Sequence, residues 1–304
     1  MLDDLMLFIT QVINGLRAGS IYALIALGYT MVYGIIRLIN FAHGDFIMVG
    51  GYTLVFTIPV MVSLGMPPWT AAILAVVVCA TVGILVEKLA YNPVRARGNN
   101  MSALITAIAM SLFLENLAQI LFGANPRTVK TLFTFPKILG FDGTTILTII
   151  IGLAVMFALQ MFVMNTKMGQ SMRAVSENKS ASVLMGINVN RTITVTFAIG
   201  SGLAAIAAMM YCAQYNSVTI MMGYMLGLKA FVAAVLGGIG IIPGAMMGGI
   251  VIGLVESLSK AYIGPLTGGL VTSAFSDAVV FAILIIVLLV KPEGILGKNQ
   301  GEKV

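Results

Sequence analysis

Charged side chains are scarce in this sequence: Asp, Glu, Lys and Arg make up 9% of its 304 residues, whereas 59% are hydrophobic. Soluble domains average about 25% charged residues. So few charges cannot cover the surface of a water-soluble protein of this length, and the mean hydropathy of +1.03 agrees. We therefore expect most of the chain to lie in lipid, which excludes a soluble enzyme or a nucleic-acid-binding protein.

Histidine and cysteine are almost absent, which removes the side chains that most metal sites use. The sequence has one histidine, His43, and two cysteines, Cys79 and Cys212, each within an apolar stretch. A zinc site needs about three or four such ligands. We therefore expect no metal and no cofactor. An intramembrane hydrolase with Ser201 as nucleophile and His43 as base remains an alternative from another class.

Long apolar runs, in contrast, are abundant, and about 20 such residues cross a bilayer as a helix. The first clear span is predicted at 18–36, between Arg17 and Arg37, with 5–14 lying at the interface. We expect an all-α polytopic membrane protein with about eight transmembrane helices, some broken or re-entrant, in a single domain over 1–304. Further spans are predicted at 46–65, 69–87, 102–122, 144–164, 193–213 and 276–290.

The stretch 225–260 is too long for one ordinary span and is interrupted by the string GGIGIIPG. Because Pro243 lacks a backbone donor and glycines loosen a helix, the pattern predicts two helices, 226–238 and 244–258, around a break. A break at membrane depth is tolerated where it lines a cavity. It is therefore a candidate wall of a transport path, whether the segment crosses twice or re-enters.

Small residues recur at four-residue spacing, which permits close helix approach in lipid. The pairs are Gly15 and Gly19, Gly244 and Gly248, and Gly249 and Gly253.

Basic residues predict the orientation, because they concentrate in cytoplasmic loops. The segments 88–101, 165–192 and 291–304 hold more than half of the 17 Lys and Arg residues. All three therefore belong on the cytoplasmic side, which also places the NFAHGD turn there and the N-terminus outside. Loop 123–143 conflicts with this rule. It is basic, but it is separated from the cytoplasmic loop 88–101 by a single predicted span and must therefore lie outside.

Ionisable groups within apolar runs are informative, because each costs several kcal/mol (~3) unless it is paired or hydrated. Glu115 lies mid-span, with Gln119 on the same helical face. This polar stripe either faces a cavity or only cements helix packing. Lys229 and Glu256 are expected to extend to the membrane surface, and Asp277 to begin a helix.

Loop 165–192 is long and basic, and its apolar residues have helical spacing at Val175, Ala181, Leu184 and Met185. The pattern predicts a short amphipathic helix parallel to the membrane. It is either a connector on the surface or a docking helix for a cytoplasmic partner.

Seven strings distributed over most of the chain resemble the LivH-type permeases of branched-chain amino-acid ABC importers. They are GSIYALIALGYTMVYGIIRLINFAHGDFIMVGGY, NPVRARG, MGQSMRAV, LMGINVNRTI, LKAFVAAVLGGIG, PGAMMGG and KPEGILG.

The resemblance implies a permease subunit in the bacterial cytoplasmic (inner) membrane that moves branched-chain amino acids by alternating access. It also implies three kinds of partner: two cytoplasmic ATPases, a second and related permease, and an extracytoplasmic binding protein. The chain itself lacks a P-loop string, GxxxxGK[ST], so ATP hydrolysis would belong to the separate ATPases. Two alternatives remain: a permease of this family for urea or short amides, and a self-sufficient secondary transporter or channel.

ABC permeases contact their ATPases through a loop with an EAA-xxx-G pattern, and the resemblance places that contact in loop 165–192. The string SASVLMG matches the spacing but has serine where glutamate and alanine stand. The residues implied are Glu177, Ser180, Ala181, Ser182, Leu184, Met185 and Gly186.

The translocation path is expected where polar residues and helix breaks interrupt the apolar runs. Helix ends offer free N–H and C=O groups to a zwitterionic amino acid. The candidate residues are Asn40, His43, Asp45, Glu115, Gly237, Gly238, Gly240, Pro243 and Gly244.

Overall fold

The computed structural model describes residues 2–96, 100–130, 135–137, 141–268 and 270–297. Nearly all regular structure in these residues is helical, because a helix satisfies its backbone groups internally and needs no water. The helices are α1 (Leu2–Ile36), α2 (Asp45–Ser63), α3 (Thr70–Val86), α4 (Asn92–Ala96), α5 (Asn100–Phe122), α6 (Gly143–Asn165), α7 (Lys167–Glu177), α8 (Lys179–Leu184), α9 (Val189–Tyr215), α10 (Met222–Gly237), α11 (Ile242–Leu266) and α12 (Ser276–Val290). Shorter elements are 3₁₀ turns at Phe41–His43 and Ser273–Phe275, a π-helical turn at Glu87–Tyr91, and two strands, β1 (Arg127–Thr128) and β2 (Ser217–Val218).

Eight helices in the described residues are long and apolar enough to cross a membrane, and α10 is a shorter apolar helix. This confirms the predicted all-α membrane protein with about eight spans. The core surrounds α1, in which residues 19–32 are all buried. Large side chains exposed on the outer helices, such as Ile120, Phe157 and Leu289, are apolar as well, which suits a surface that contacts lipid.

Helix α1 is continuous from Leu2 to Ile36, so the segment 5–14 and the predicted span 18–36 belong to one helix, and Arg17 lies within it. Its polar side chains find partners on neighbouring helices. The Arg17 guanidinium donates to the Thr145 hydroxyl at 3.1 Å, and the Ser257 hydroxyl donates to Gln11 Oε1 at 3.0 Å. Because these groups are satisfied, the helix does not need to end where its apolar run weakens.

The predicted break in 225–260 is present and separates two antiparallel helices, α10 and α11. The turn between them has left-handed backbone at Gly238 (φ +105°) and Gly240 (φ +94°), where glycine avoids the strain of a side chain. The chain beyond α12 closes this turn: the Ile295 N–H donates to the Leu236 carbonyl at 2.8 Å. The second helix is longer than predicted and ends at Leu266.

Three basic segments meet at one end of the bundle, here called the basic end: residues 88–96, 165–192 and 291–297. Arg95 donates to the Asn190 side chain at 3.1 Å, and Arg37 donates to the Ser176 carbonyl at 3.3 Å. The segment 291–297 packs on the turn after α10. The structure therefore groups these segments as the charge pattern predicts.

The described residues of the basic loop 123–143 lie at the opposite end. Its strand β1 pairs antiparallel with β2, which follows the last residue of α9. Helix α9 has 27 residues, about 40 Å at 1.5 Å per residue, and begins at the basic end. The count of predicted spans therefore gives the correct end of the bundle for this loop, whereas its basic residues do not.

Glycines allow α1 and α11 to approach until their backbones touch. A Cβ added at Gly19 would lie 2.8 Å from Ile250 Cα, and one at Gly15 would lie 2.8 Å from Leu254 Cα. A Cβ at Gly253 would overlap the Gly19 backbone, and one at Gly249 would overlap Ala23. The predicted small-residue pairs thus form the main helix contact of the fold.

We predict that Gly253→Ala destabilises the protein, because the added methyl group meets only backbone atoms of α1. The expected loss is about 1–3 kcal/mol, the usual cost of overpacking. The matched control is Gly202→Ala, where the new Cβ would lie 3.5 Å from a Val76 methyl group. Thermal unfolding of the purified protein in detergent measures both, and equal midpoints would contradict the prediction.

Candidate functional site

The NFAHGD turn enters the bundle instead of resting on its surface. The His43 imidazole packs against Gly28 of α1 and Gly200 of α9, and a Cβ at Gly28 would overlap the ring. Gly28 lies eight residues, or about 12 Å, before the end of α1. The turn therefore starts at the basic end, with the segments predicted to be cytoplasmic, and folds back inward.

Aromatic side chains hold this turn in place. The Tyr91 hydroxyl donates to Asn40 Oδ1 at 2.6 Å, and the Tyr29 ring lies 4.6 Å from the His43 ring, edge to face. Asn40 and His43 are buried, and His43 Nε2 has no hydrogen-bond partner among the described residues. These two predicted path residues thus position the turn from within the protein.

Helices α2 and α10 both begin inside the bundle, and their first turns touch. A Cβ at Gly223 would overlap the Gly44 carbonyl, and one at Gly44 would lie 2.6 Å from the Gly223 carbonyl. Only glycine permits this approach. It places the amino-terminal ends of two helices, with their free N–H groups and positive partial charge, at one point within an apolar bundle.

A cavity of about 170 Å³ lies beside these two helix ends. Two residues predicted from the sequence, Asp45 of α2 and Glu115 of α5, line it together. Tyr29, Ser111, Gly223 and Gly227 also contribute to its wall. The polar residues of the cavity thus come from four helices that are far apart in the sequence.

The Asp45 carboxylate is only 2% exposed, and its Oδ2 atom has no hydrogen-bond partner among the described residues. Within the residues that the structure describes, neither Asp45 nor Glu115 forms an ion pair. A buried, unpaired carboxylate costs several kcal/mol (~3) in an apolar environment. The Ser111 side chain hydrogen-bonds the Asp45 carboxyl group, so the cavity holds an acidic group with one unpartnered oxygen, Oδ2.

The predicted path residues around the α10–α11 turn lie elsewhere. Gly237 and Gly244 pack directly on each other, since a Cβ at either would overlap the carbonyl of the other. Along α10, Gly237 is 14 residues, or about 21 Å, from Gly223. The structure does not bring this group, which also includes Gly238, Gly240 and Pro243, to the cavity.

The cavity opens on a face of exposed apolar side chains. They belong to the 3₁₀ turn, α5 and the start of α10, and they include Phe41, Ile108, Leu112 and Tyr224.

A second, larger cavity of about 440 Å³ lies between α2, α3 and α5. Its wall is almost entirely apolar, with Tyr52 and Thr53 as the only side chains that carry a hydroxyl. It offers no charged group to a polar solute.

Lys229 and Glu256 do not extend to the membrane surface as predicted; they form a buried ion pair at 2.8 Å. Lys229 also pairs with Asp277 at 2.7 Å, so Asp277 does more than begin a helix. Glu256 further accepts from Tyr22 at 2.6 Å and pairs with Lys260 at 2.6 Å. This cluster, here called the ion cluster, joins α1, α10, α11 and α12, and its groups are cheaper to bury together than apart.

Loop 165–192 forms two helices instead of one. Each begins with a side-chain cap: Thr166 accepts from the Gly169 N–H, and Asn178 accepts from the Ala181 N–H, both at 3.0 Å. Asn178 ends α7 and starts α8, because its extended backbone (φ −152°) breaks the helical path. The single amphipathic helix predicted here is thus divided at Asn178.

The two helices bury different faces. Val175 of α7 is buried, whereas Leu184 is 88% exposed and Met185 follows it on the surface. In α8 only Ser182 is buried, and its hydroxyl donates to the Asn178 carbonyl. The other predicted coupling residues, Glu177, Ser180, Ala181 and Gly186, are exposed. Leu184 and Met185 therefore project away from the bundle at the basic end, together with Val183.

Positive charge surrounds the base of α8. Partial burial, together with the nearby Arg95 and Arg37 guanidinium groups, lowers the pKa of Lys179 below its ordinary value.

Ser201 does not have the arrangement of a nucleophile. Its hydroxyl donates to the Phe197 carbonyl at 2.6 Å, within its own helix. A Cβ added at Gly83 would overlap the same hydroxyl, so the side chain fills a helix contact. Nothing in this geometry supports the hydrolase alternative.

A multi-pass helical bundle with ionisable groups at an internal cavity is typical of a membrane transport permease. The chain belongs to the family described as branched-chain amino acid transport system/permease component, whose model matches residues 11–288.

Curated relatives match the whole chain. It is 40% identical to the high-affinity branched-chain amino acid transport system permease protein LivH of Escherichia coli strain K12, over 100% of both chains. It is 39% identical to the corresponding protein BraD of Pseudomonas aeruginosa over 98% of each. A probable LivH of Methanocaldococcus jannaschii is 29% identical over 91% of this chain and 89% of that protein.

Sequence reasoning missed the ion cluster and the polar contribution of Ser111 to the cavity. The signal for the cluster was present, because two bases and two acids within apolar helices can all be buried only as pairs. Ser111 precedes Glu115 by one helical turn and therefore shares its face, so the same stripe that includes Gln119 contained it.

We predict that Lys229→Met strongly destabilises the protein, because it leaves Glu256 and Asp277 with one cation fewer in a buried site. Breaking a buried ion pair from one side costs about 3–5 kcal/mol. The control is Lys260→Met, whose half-exposed side chain should contribute about 1 kcal/mol or less. Unfolding midpoints of the detergent-solubilised variants measure the difference, and a mild effect of Lys229→Met would refute it.

Proposed function

We propose that this chain is the permease subunit of an ATP-driven importer for branched-chain amino acids in the bacterial cytoplasmic membrane. The observation that carries the proposal is the internal cavity at the first turns of α2 and α10, which offers charge and free N–H groups within an apolar bundle. LivH and BraD, which align with essentially the whole chain, are branched-chain amino acid permeases by name, and this supports branched-chain amino acids as the substrate.

The chain acts as one transmembrane domain over 1–304. Helix α1, at the amino-terminal end of the chain, packs against α6, α9, α10 and α11, which belong to its middle and carboxyl-terminal parts. Because these helices all pack on the same central helix, the chain is better described as one domain than as two separable domains.

A second permease subunit, related or identical, completes the path. The cavity opens on the face that includes Phe41, Ile108, Leu112 and Tyr224, and covering this face would separate a polar solute from lipid. Asp45 and Glu115 then lie on the path itself, whereas Asn40 and His43 support the turn that carries Asp45. The glycines and Pro243 of the α10–α11 turn act as a pivot at the cytoplasmic end.

The basic end faces the cytoplasm, where two ATPase subunits bind. The exposed residues of α8 and its C-terminal end, above all Leu184 and Met185, form the contact that an ATPase groove would bury. The opposite end, with β1 and β2, faces the extracytoplasmic binding protein that delivers the substrate.

Transport follows alternating access, in which ATP binding shifts the population between inward-open and outward-open states. Movement at α8 passes to the bundle through α7, which packs on α1 and α9. The chain contributes a path and a coupling surface, and ATP hydrolysis belongs to its partners.

Reconstitution tests this function. The chain is co-purified with its native partners, placed in proteoliposomes and supplied with the binding protein. We expect uptake of leucine, isoleucine or valine that requires ATP and is not inhibited by urea or short amides. Uptake by the chain alone, driven by an ion gradient, would instead favour a secondary transporter.

We predict that Leu184→Glu reduces co-purification of the ATPases by at least about tenfold, because a charge replaces an apolar anchor at a protein interface. The matched control is Leu270→Glu at the opposite end, since Leu270 is 90% exposed and Leu184 is 88% exposed. Quantitative immunoblots of the affinity-purified complexes measure the ratio. Equal losses in the two variants would show that α8 is not the contact.

A further inference from the structure

We propose that Asp45, with Glu115 on the same cavity, receives the α-ammonium group of the amino acid during translocation. The inference rests on the proposed function, because it names the part of the substrate that the cavity recognises.

The first argument is the unsatisfied carboxylate. Asp45 lines the cavity and is only 2% exposed. Its Oδ2 atom accepts no hydrogen bond from the described residues. Buried polar groups are normally paired, so an orphaned acceptor on a cavity wall indicates a missing donor. A primary ammonium offers three donors and the opposite charge.

The second argument is that the protein supplies no cation of its own among the described residues. The buried lysine of α10, Lys229, is held by Glu256 and Asp277 at 2.8 and 2.7 Å. It is therefore unable to neutralise the acids of the cavity. A solute that carries a positive charge would supply the missing counter-ion.

The third argument is that the rest of the cavity suits the other parts of a branched-chain amino acid. The first turn of α10 has free N–H groups near Gly223, which favour a carboxylate. Ile108, Leu112 and Leu228 provide apolar wall for an aliphatic side chain. Acid, helix end and apolar surface thus correspond to ammonium, carboxylate and side chain.

The variant experiment uses the complete importer in proteoliposomes with its binding protein. We expect Asp45→Asn to lower the initial rate of leucine uptake by at least about tenfold, and Glu115→Gln to lower it less, because truncating a buried charge contact costs more than a partly exposed one. The control is Asn116→Ala, next to Glu115 on α5 but exposed and outside the cavity. Co-purified ATPase is measured for each variant, so that loss of assembly is distinguished from loss of the subsite.

The ligand experiment needs no variant and therefore holds even if Asp45→Asn fails to assemble. Radiolabelled leucine is bound to the wild-type complex in nanodiscs without the binding protein. Leucinol, which keeps the ammonium group, should displace it, whereas isocaproate, the leucine skeleton without its amino group, should not. Replacing sodium with choline should change nothing.

Each contrary outcome overturns a separate statement. Equal displacement by isocaproate, no saturable leucine binding, or normal uptake by Asp45→Asn overturns the ammonium subsite. Leucine binding that needs sodium would mean that the acids hold an inorganic cation, which also overturns it. If the wild-type importer takes up no branched-chain amino acid at all, the proposed function fails.

Discussion

Close backbone contact at glycines is the constraint on which the rest of this structure depends. Lipid offers no hydrophobic drive between helices, so their association relies on packing, and small residues permit the nearest approach. Gly15, Gly19, Gly249 and Gly253 bring α1 onto α11, while Gly28 leaves room for the His43 ring. Because α1 is thereby buried at the centre, the NFAHGD turn has an interior surface against which to fold.

The interior has a low dielectric constant, so an ionisable side chain there is costly unless it has a partner. The ion cluster and the cavity differ in whether that partner is present. In the ion cluster, two lysines and two acids neutralise one another, and together with Tyr22 they join four helices. In the cavity, Asp45 lacks such a partner among the described residues. The first arrangement is complete without a ligand, whereas the second is not. This contrast separates a structural role from a transport role, although all of these residues are ionisable groups in apolar helices.

Several features could be predicted from the sequence because their physical cause is local. Apolar runs of sufficient length predicted the spans, and Pro243 with its glycines predicted the break between α10 and α11. That 5–14 and 18–36 form one helix was not predicted, because Gln11 and Arg17 find partners on α11 and α6, which no local pattern reveals. The surface positions of Lys229 and Glu256 were wrong for the same reason. The division of loop 165–192 at Asn178 depended on a capping side chain.

The scarcity of charge by itself determined that this chain lies in lipid, and the basic segments determined which ends of its helices lie together. Both follow from composition and order along the chain, since an unpaired charge is costly to bury in lipid whatever the fold. Only the tertiary structure decided which few charges are paired and which one faces a cavity. Asp45, Glu115 and Gly223 are far apart in sequence, and they meet because two helices begin inside the bundle, where only glycines allow their ends to touch.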